Sequence, residues 1–231
     1  VIDEIHCLSE WGHSFRTSYL TLADTIGNYC NNFTYIGLTA TASTNVIKDI
    51  QIELNIEQDN IKTPPDYTRE EIEFVAIDDK NAKDEALLEL LNEQKESSDI
   101  LRINEENTKC GLIFTTLKDN SKSSTGCYTL SNYLSSELEA DIRYYSGSPP
   151  KDVSKENRGN SKIFDNYKRL TQNDFKENKF SLLVATNAFG MGINKSNIYY
   201  TIHYGIPLSI EALYQEGGRA GRDKAKFIKD K

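Results

Sequence analysis

The sequence predicts an α/β protein built on parallel sheet, and three observations lead there. Short apolar runs rich in β-branched residues alternate with stretches whose apolar positions recur three and four apart, which is the pattern of βαβ units. The 231 residues, 38% hydrophobic and 27% charged, suffice to bury a core in one or two domains. A turn-rich break at Thr63, Pro64, Pro65 and Asp66 divides the chain, predicting one domain over 1–66 and another over 67–231.

Each element follows from its local pattern. Strands are predicted at the Val1 end, Tyr35–Leu38, Ile72–Ile77, Gly111–Thr115, Ile142–Tyr145, Leu182–Ala185 and Tyr199–His203. Helices are predicted where one face is apolar: Val46, Ile47, Ile50 and Leu54; Ala86, Leu87, Leu90 and Leu91; Leu130, Tyr133, Leu134 and Leu138. Ser43 stands where a helix N-cap belongs. Residues 92–109 read as a helix end running into a polar connection, and Gly147–Asn160, with Pro149 and Pro150, as a solvated loop. The sequence shows no internal repeat.

Charge and cysteine usage bound the function. The net charge is −8, which excludes a protein that holds nucleic acid merely by being basic. The distribution is uneven: residues 1–109 carry 22 acidic and 9 basic side chains (−13), and residues 110–231 carry 13 acidic and 18 basic (+5). Cys7, Cys30, Cys110 and Cys127 form no C-x-x-C pair, and three histidines are too few for a zinc cage. Reduced, mostly buried thiols and an intracellular setting are expected. No run approaches the roughly 18 apolar residues of a membrane span. The chain begins at Val1, inside an apolar run, and reads as a piece of something longer.

Chemistry-bearing residues cluster at predicted strand ends, where open α/β sheets place ligands. Asp3, Glu4, Ile5 and His6 follow the first apolar run. An aspartate there can hold Mg2+ through water and the glutamate can orient or deprotonate a water; two solvated loop carboxylates are the plainer alternative. Cys7–Arg16 reads C-L-S-E-W-G-H-S-F-R, in which Trp11 and Phe15 can stack on unpaired bases while Arg16 meets phosphate, or can simply cover the core. Leu38–Ala42, L-T-A-T-A, offers two hydroxyls at a strand-to-helix turn. Ala185–Lys195 reads A-T-N-A-F-G-M-G-I-N-K, whose glycines allow close backbone approach to a ligand and whose Thr186 can donate to a phosphate. Tyr214–Asp223 reads Y-Q-E-G-G-R-A-G-R-D; Arg219 and Arg222, separated by small residues, can reach a phosphate and stabilise transition-state charge, or join a surface ion-pair network.

Taken in order, these blocks resemble the RecQ family of superfamily 2 DNA helicases. D-E-I-H at Asp3–His6 looks like the family's D-E-A-H box, and the stretch from Cys7 like its aromatic-rich loop. G-L-T-A-T-A from Gly37, D-Y-T-R-E-E-I from Asp66, G-L-I-F-T-T from Gly111, Y-Y-S-G from Tyr144 and the last two blocks fall where the later motifs fall.

The resemblance implies two RecA-like lobes with ATP and Mg2+ in the cleft between them, the chain supplying the C-terminal part of lobe one and all of lobe two. Asp3 would hold the metal, Glu4 would position or activate water, and His6 would couple the site to Gln215 or the aromatic loop. Trp11, Phe15, Arg16 and Thr186 would face single-stranded DNA. Gly192 and Asn194 would lie near the nucleotide, Arg222 would be the arginine finger and Arg219 a second phosphate contact. The implied activity is ATP-driven 3′ to 5′ translocation and duplex unwinding. The chain departs from the family pattern in several places. It contains no G-x-x-x-x-G-K-[ST] loop, so the chain as given is expected to be inactive alone. Lys224 replaces a glycine, Thr17 a proline, and Tyr145 stands where the family often has histidine. The other readings are a non-catalytic module that binds nucleic acid or protein, and an RNA helicase of the DEAH type.

Overall fold

A computed structural model describes residues 1–10, 21–30, 33–40, 42–63, 69–104, 107–122, 124–151, 153, 161–189 and 193–223. They belong to two compact units, Val1–Thr68 and Arg69–Lys231. Among the described residues no helix is long and apolar enough to cross a membrane.

The first unit holds helices α1 (Cys7–Glu10), α2 (Leu22–Tyr29) and α3 (Thr44–Leu54), then a 3-10 turn over Gln58–Asn60. Ser43 caps α3 as expected, its side chain accepting from the Val46 N–H at 3.4 Å, and Asn55 ends the helix in the left-handed conformation. Val46, Ile50 and Leu54, four apart, fall on one face and bury themselves against Ile5 and Leu8.

The strands expected at Val1 and at Tyr35–Leu38 reduce to one parallel bridge between Ile2 and Gly37. The Ile2 N–H donates to the Ile36 carbonyl at 2.8 Å and the Leu38 N–H to the Ile2 carbonyl at 2.9 Å. The composition suits a strand, but Ile36 and Leu38 are about half exposed, so the second face that would make a longer pairing worthwhile is not buried.

The second unit is a four-stranded parallel sheet with helices on its faces. Along the chain come α4 (Lys83–Ser98), β1 (Cys110–Phe114), α5 (Cys127–Leu138), β2 (Ile142–Tyr145), α6 (Ser161–Lys176), β3 (Leu182–Ala185), β4 (Ile198–His203) and α7 (Ile210–Gly217). The strand order is β2-β3-β1-β4, with Gly111 opposite Leu182 on one side and Tyr200 on the other. The last four strands expected from sequence are thus present, β1 shifted one residue towards the N-terminus and β4 starting one residue early. Ile72–Ile77, also expected as a strand, forms no strand pairing among the described residues; Phe74, Val75 and Ile77 are exposed, so its apolar composition reflects no place in the described sheet.

The period of two along each strand sorts the core into two layers. Ile113, Leu182, Val184 and Ile142 pack with Leu87, Leu91, Leu130 and Leu134 from α4 and α5. Cys110, Leu112, Phe114, Leu183 and Ala185 pack with Phe175, Phe180 and Phe189. Every residue of β1 and β3 is buried, as a strand covered on both faces requires. Cys7, Cys110 and Cys127 are buried and Cys30 is exposed, all four as free thiols.

Candidate functional site

In the first unit the D-E-I-H segment forms a tight turn between the Ile2 bridge and α1. Asp3 Oδ1 accepts from the Glu4 N–H at 3.0 Å, and both residues are exposed. Glu4 has φ of 51°, a left-handed conformation that costs an L-residue about 1–2 kcal/mol and is the kind of strain concentrated at functional sites. Ile5 anchors the turn in the core, and its N–H donates to the Leu38 carbonyl at 3.0 Å.

His6 is 4% exposed and its Nδ1 lies 2.8 Å from Thr39 Oγ1 and 3.4 Å from Glu4 Oε2. The buried imidazole therefore offers one nitrogen to both the glutamate and the threonine of the L-T-A-T-A turn. A hydrogen bond gained or lost at Glu4 can be felt at Thr39 through that shared nitrogen. Ser9 donates to Asp49, tying α1 to α3. Among the described residues no three His, Cys, Asp or Glu side chains come together to hold a metal by themselves. One exposed aspartate with a flanking glutamate is an oxygen donor set that fits Mg2+, an ion that keeps most of its waters and shares the rest of its shell with phosphate.

In the second unit Thr186 lies just beyond the C-terminal end of β3, whereas Asn194 and Arg222 lie beside the start of β4. Thr186 ends β3 in a turn: its N–H donates to the Tyr145 carbonyl and its own carbonyl accepts from Phe189, each at 3.0 Å. Its side chain is mostly buried. Asn194 and Arg222 are brought together, Arg222 Nη1 donating to the Ile193 carbonyl at 3.1 Å and to Asn194 Oδ1 at 3.2 Å. Gln215 lies on α7, whose N-cap Ser209 accepts from the Ala212 N–H at 3.1 Å. Arg219 follows α7, half-buried, its N–H bonded to the Glu216 carbonyl at 3.3 Å. Gly221 has φ of +65°, so the spacing of the two arginines depends on a backbone that other residues adopt at a cost. Trp11, Phe15, Arg16 and Gly192 lie outside the described residues.

Sequence reasoning missed the residues that hold the arginine segment. Arg69 Nη2 donates to the carbonyls of Ala220 at 3.4 Å and Gly221 at 3.1 Å, and Arg69 Nε to Glu71 Oε2 at 3.2 Å. His203, at the end of β4, stacks on Phe114 at 5.7 Å, and its Nε2 stands 3.1 Å from Glu216 Oε2, an ion-pair distance without hydrogen-bond alignment. The only signal for Arg69 was its place in D-Y-T-R-E-E-I. Nearby, Tyr204 donates to Asp84, whose other oxygen accepts from Thr125 at 2.9 Å; burial first, and the bond to Asp84 next, push the Tyr204 phenol up to about 12.

Residues 82–224 match the helicase conserved C-terminal domain. The chain is 31% identical over 222 residues to the ATP-dependent DNA helicase RecQ of Bacillus subtilis, covering 96% of this chain and 32% of that protein. It is 32% identical over 222 residues to the RecQ of Haemophilus influenzae, with 96% and 30% covered. It is 31% identical over 225 residues to the RecQ-like DNA helicase blm-1 of Caenorhabditis elegans, with 96% and 19% covered. The chain thus spans about a third or less of these relatives.

Among solved structures, S. cerevisiae Dbp5 bound to RNA and ADP BeF3 shares the fold at 16% identity and a TM-score of 0.57, over 96% of this chain and 49% of that one. Mycobacterium smegmatis helicase Lhr bound to ssDNA and AMP-PNP does so at 18% identity and 0.51, over 95% and 26%. The four-stranded parallel sheet is RecA-like, and the chain belongs to the helicase conserved C-terminal domain family, with RecQ helicases among its relatives.

Proposed function

We propose that this chain is the C-terminal part of lobe one and all of lobe two of a RecQ-like, ATP-dependent DNA helicase. The observation that carries this reading is similarity to RecQ helicases along 96% of the chain. In this reading residues 1–66 belong to lobe one and 67–231 to lobe two. Asp3 holds Mg2+, which supplies charge neutralisation at the phosphates of ATP. Glu4 orients or deprotonates the attacking water, and His6 passes the state of Glu4 to Thr39. Arg222 and Arg219 stabilise charge on the transferring phosphate, with Asn194 and Gly192 beside the nucleotide and Gln215 between the two functions. Trp11 and Phe15 stack on bases of single-stranded DNA, while Arg16 and Thr186 take its phosphates. Hydrolysis drives 3′ to 5′ movement along one strand.

The chain has no G-x-x-x-x-G-K-[ST] loop, so the test needs the protein extended upstream through one. That protein is expected to hydrolyse ATP when single-stranded DNA is added, and Glu4→Gln to lower the rate by about two orders of magnitude or more, as loss of a general base does. Absence of DNA-stimulated hydrolysis overturns the enzyme reading. Salt-sensitive DNA binding that persists without hydrolysis would identify a non-catalytic binding module instead.

A further inference from the structure

The segment Arg69–Ile72 packs directly beneath the arginine-bearing turn of the second unit. Arg69 divides its guanidinium between two jobs. Its Nε meets Glu71, and its Nη2 spans the carbonyls of Ala220 and Gly221, the two residues that separate Arg219 from Arg222. An arginine kept only for an ion pair would turn its full fork on the carboxylate. Here one arm is given to the backbone of the turn.

Glu71 stands behind Arg69 with its side chain 1% exposed, so the carboxylate needs the guanidinium as its counter-charge and fixes it in place. Glu71 also forms the wall against which Gly221 rests: a Cβ built on Gly221 would lie 3.3 Å from the Glu71 Cβ. Three further contacts complete the mounting. The Gly221 N–H donates to the Ile198 carbonyl at 3.1 Å, Arg222 reaches Ile193 and Asn194, and Glu216 pairs with His203. These contacts come from β4 and the loop before it. Arg69 grips the carbonyls of both residues between the two arginines.

We propose that Arg69, oriented by Glu71, is a positioning residue for Arg219 and Arg222: it sets the turn that aims both guanidinium groups at a phosphate. The inference rests on the helicase reading for its consequence in catalysis, but its structural half can be tested without it.

The informative variant is Arg69→Lys. A lysine keeps the charge that Glu71 requires, yet its single ammonium cannot serve the carboxylate and both carbonyls together. In the 231-residue chain, tryptic cleavage after Arg219 and Arg222, followed by mass spectrometry, is expected to accelerate about tenfold, the factor that one lost charge-assisted hydrogen bond is worth, while cleavage after Lys95 and Arg169 keeps its wild-type rate. In the full-length protein, kcat for DNA-stimulated ATP hydrolysis is expected to fall by about the same factor with KM for ATP little changed, the signature of an interaction used in the transition state. Should Arg69→Lys fail to fold, Glu71→Gln serves, with the same selectivity and a smaller effect.

Unchanged cleavage after Arg219 and Arg222 overturns the proposal. So does a uniform rise at every site, which marks a merely structural role, and so does selective cleavage in a variant whose kcat equals that of an active wild type. If wild-type protein hydrolyses no ATP, the helicase reading fails, and the cleavage pattern still decides whether Arg69 holds the turn.

Discussion

The pairing of Gly111 with Tyr200 can be tested quantitatively. A Cβ added at Gly111 would sit 2.1 Å from Cζ, 2.3 Å from Cε2 and 2.5 Å from the hydroxyl of Tyr200, its partner across the β1–β4 ladder. The ring lies flat over the glycine, so Gly111→Ala must drive it outward by more than an ångström. Two effects oppose each other. Alanine is favoured over glycine in a strand by about 0.5–1 kcal/mol, whereas overpacking a filled site costs about 1–3 kcal/mol. The clash wins, and Gly111→Ala should destabilise the second unit by about 1–2 kcal/mol. Tyr200→Val removes the ring and leaves room for a methyl group, so the double variant should recover about 1–2 kcal/mol relative to the sum of the single changes. Native-state hydrogen exchange at the Leu112 and Ile113 amides reads the opening free energy of β1 without assuming that both units unfold together. Additivity within about 0.5 kcal/mol would refute the steric argument.

Four further outcomes are expected. Ser209→Ala removes the cap of α7 and should cost about 1 kcal/mol, measured as faster exchange at the Leu213 amide, with α4 and α5 unaffected. Glu139, exposed and left-handed (φ 49°) at the end of α5, should give way to glycine with a gain of about 0.5–1 kcal/mol in urea denaturation. Burial pushes the Cys127 thiol and the Tyr167 phenol up to about 12 from 9.0 and 10.0; the neutral forms are those of the folded state, so this stability is intact below pH 9 and is lost as pH rises from 9 towards 12. A pH titration of the denaturation midpoint showing no decline across that window would contradict it. With a thiol reagent at pH 8, Cys30 should react at once and Cys7, Cys110 and Cys127 only as the protein opens; two or more fast thiols would show that the buried set is wrong.

How far the sequence reached depended on whether the deciding contact was local. β3 was legible to the residue because a covered parallel strand is a short unbroken apolar run between turn signals, and β2 because its isoleucine and tyrosines suit an edge strand despite Arg143. The Ser43 cap was legible because it acts within three residues. Tyr35–Leu38 and Ile72–Ile77 have the same composition as true strands; whether a partner stands alongside depends on residues elsewhere, so composition alone over-read both. The candidate site divides in the same way. Asp3, Glu4, Arg219 and Arg222 announce themselves by motif. The His6–Thr39 and Arg69–Gly221 bonds join positions 33 and 152 residues apart, and no periodicity carries that information. His203 and Glu216 were hidden for a further reason: each sits in an apolar or motif context that already has an explanation.

The bond from Arg69 to Gly221 also has a meaning in time. It ties the first residue of the second unit to nearly the last one described. During synthesis at about 5–20 residues per second, the sheet can assemble as β1 to β4 emerge, while the arginine turn stays loose until its own residues arrive to meet Arg69. Closing so long a loop comes late because its entropy is repaid only by contacts made at the end. A chain cut short between His203 and Ala220 therefore keeps its four strands but never acquires a fixed pair of arginines, so truncation there leaves behind a folded sheet without its phosphate-facing turn.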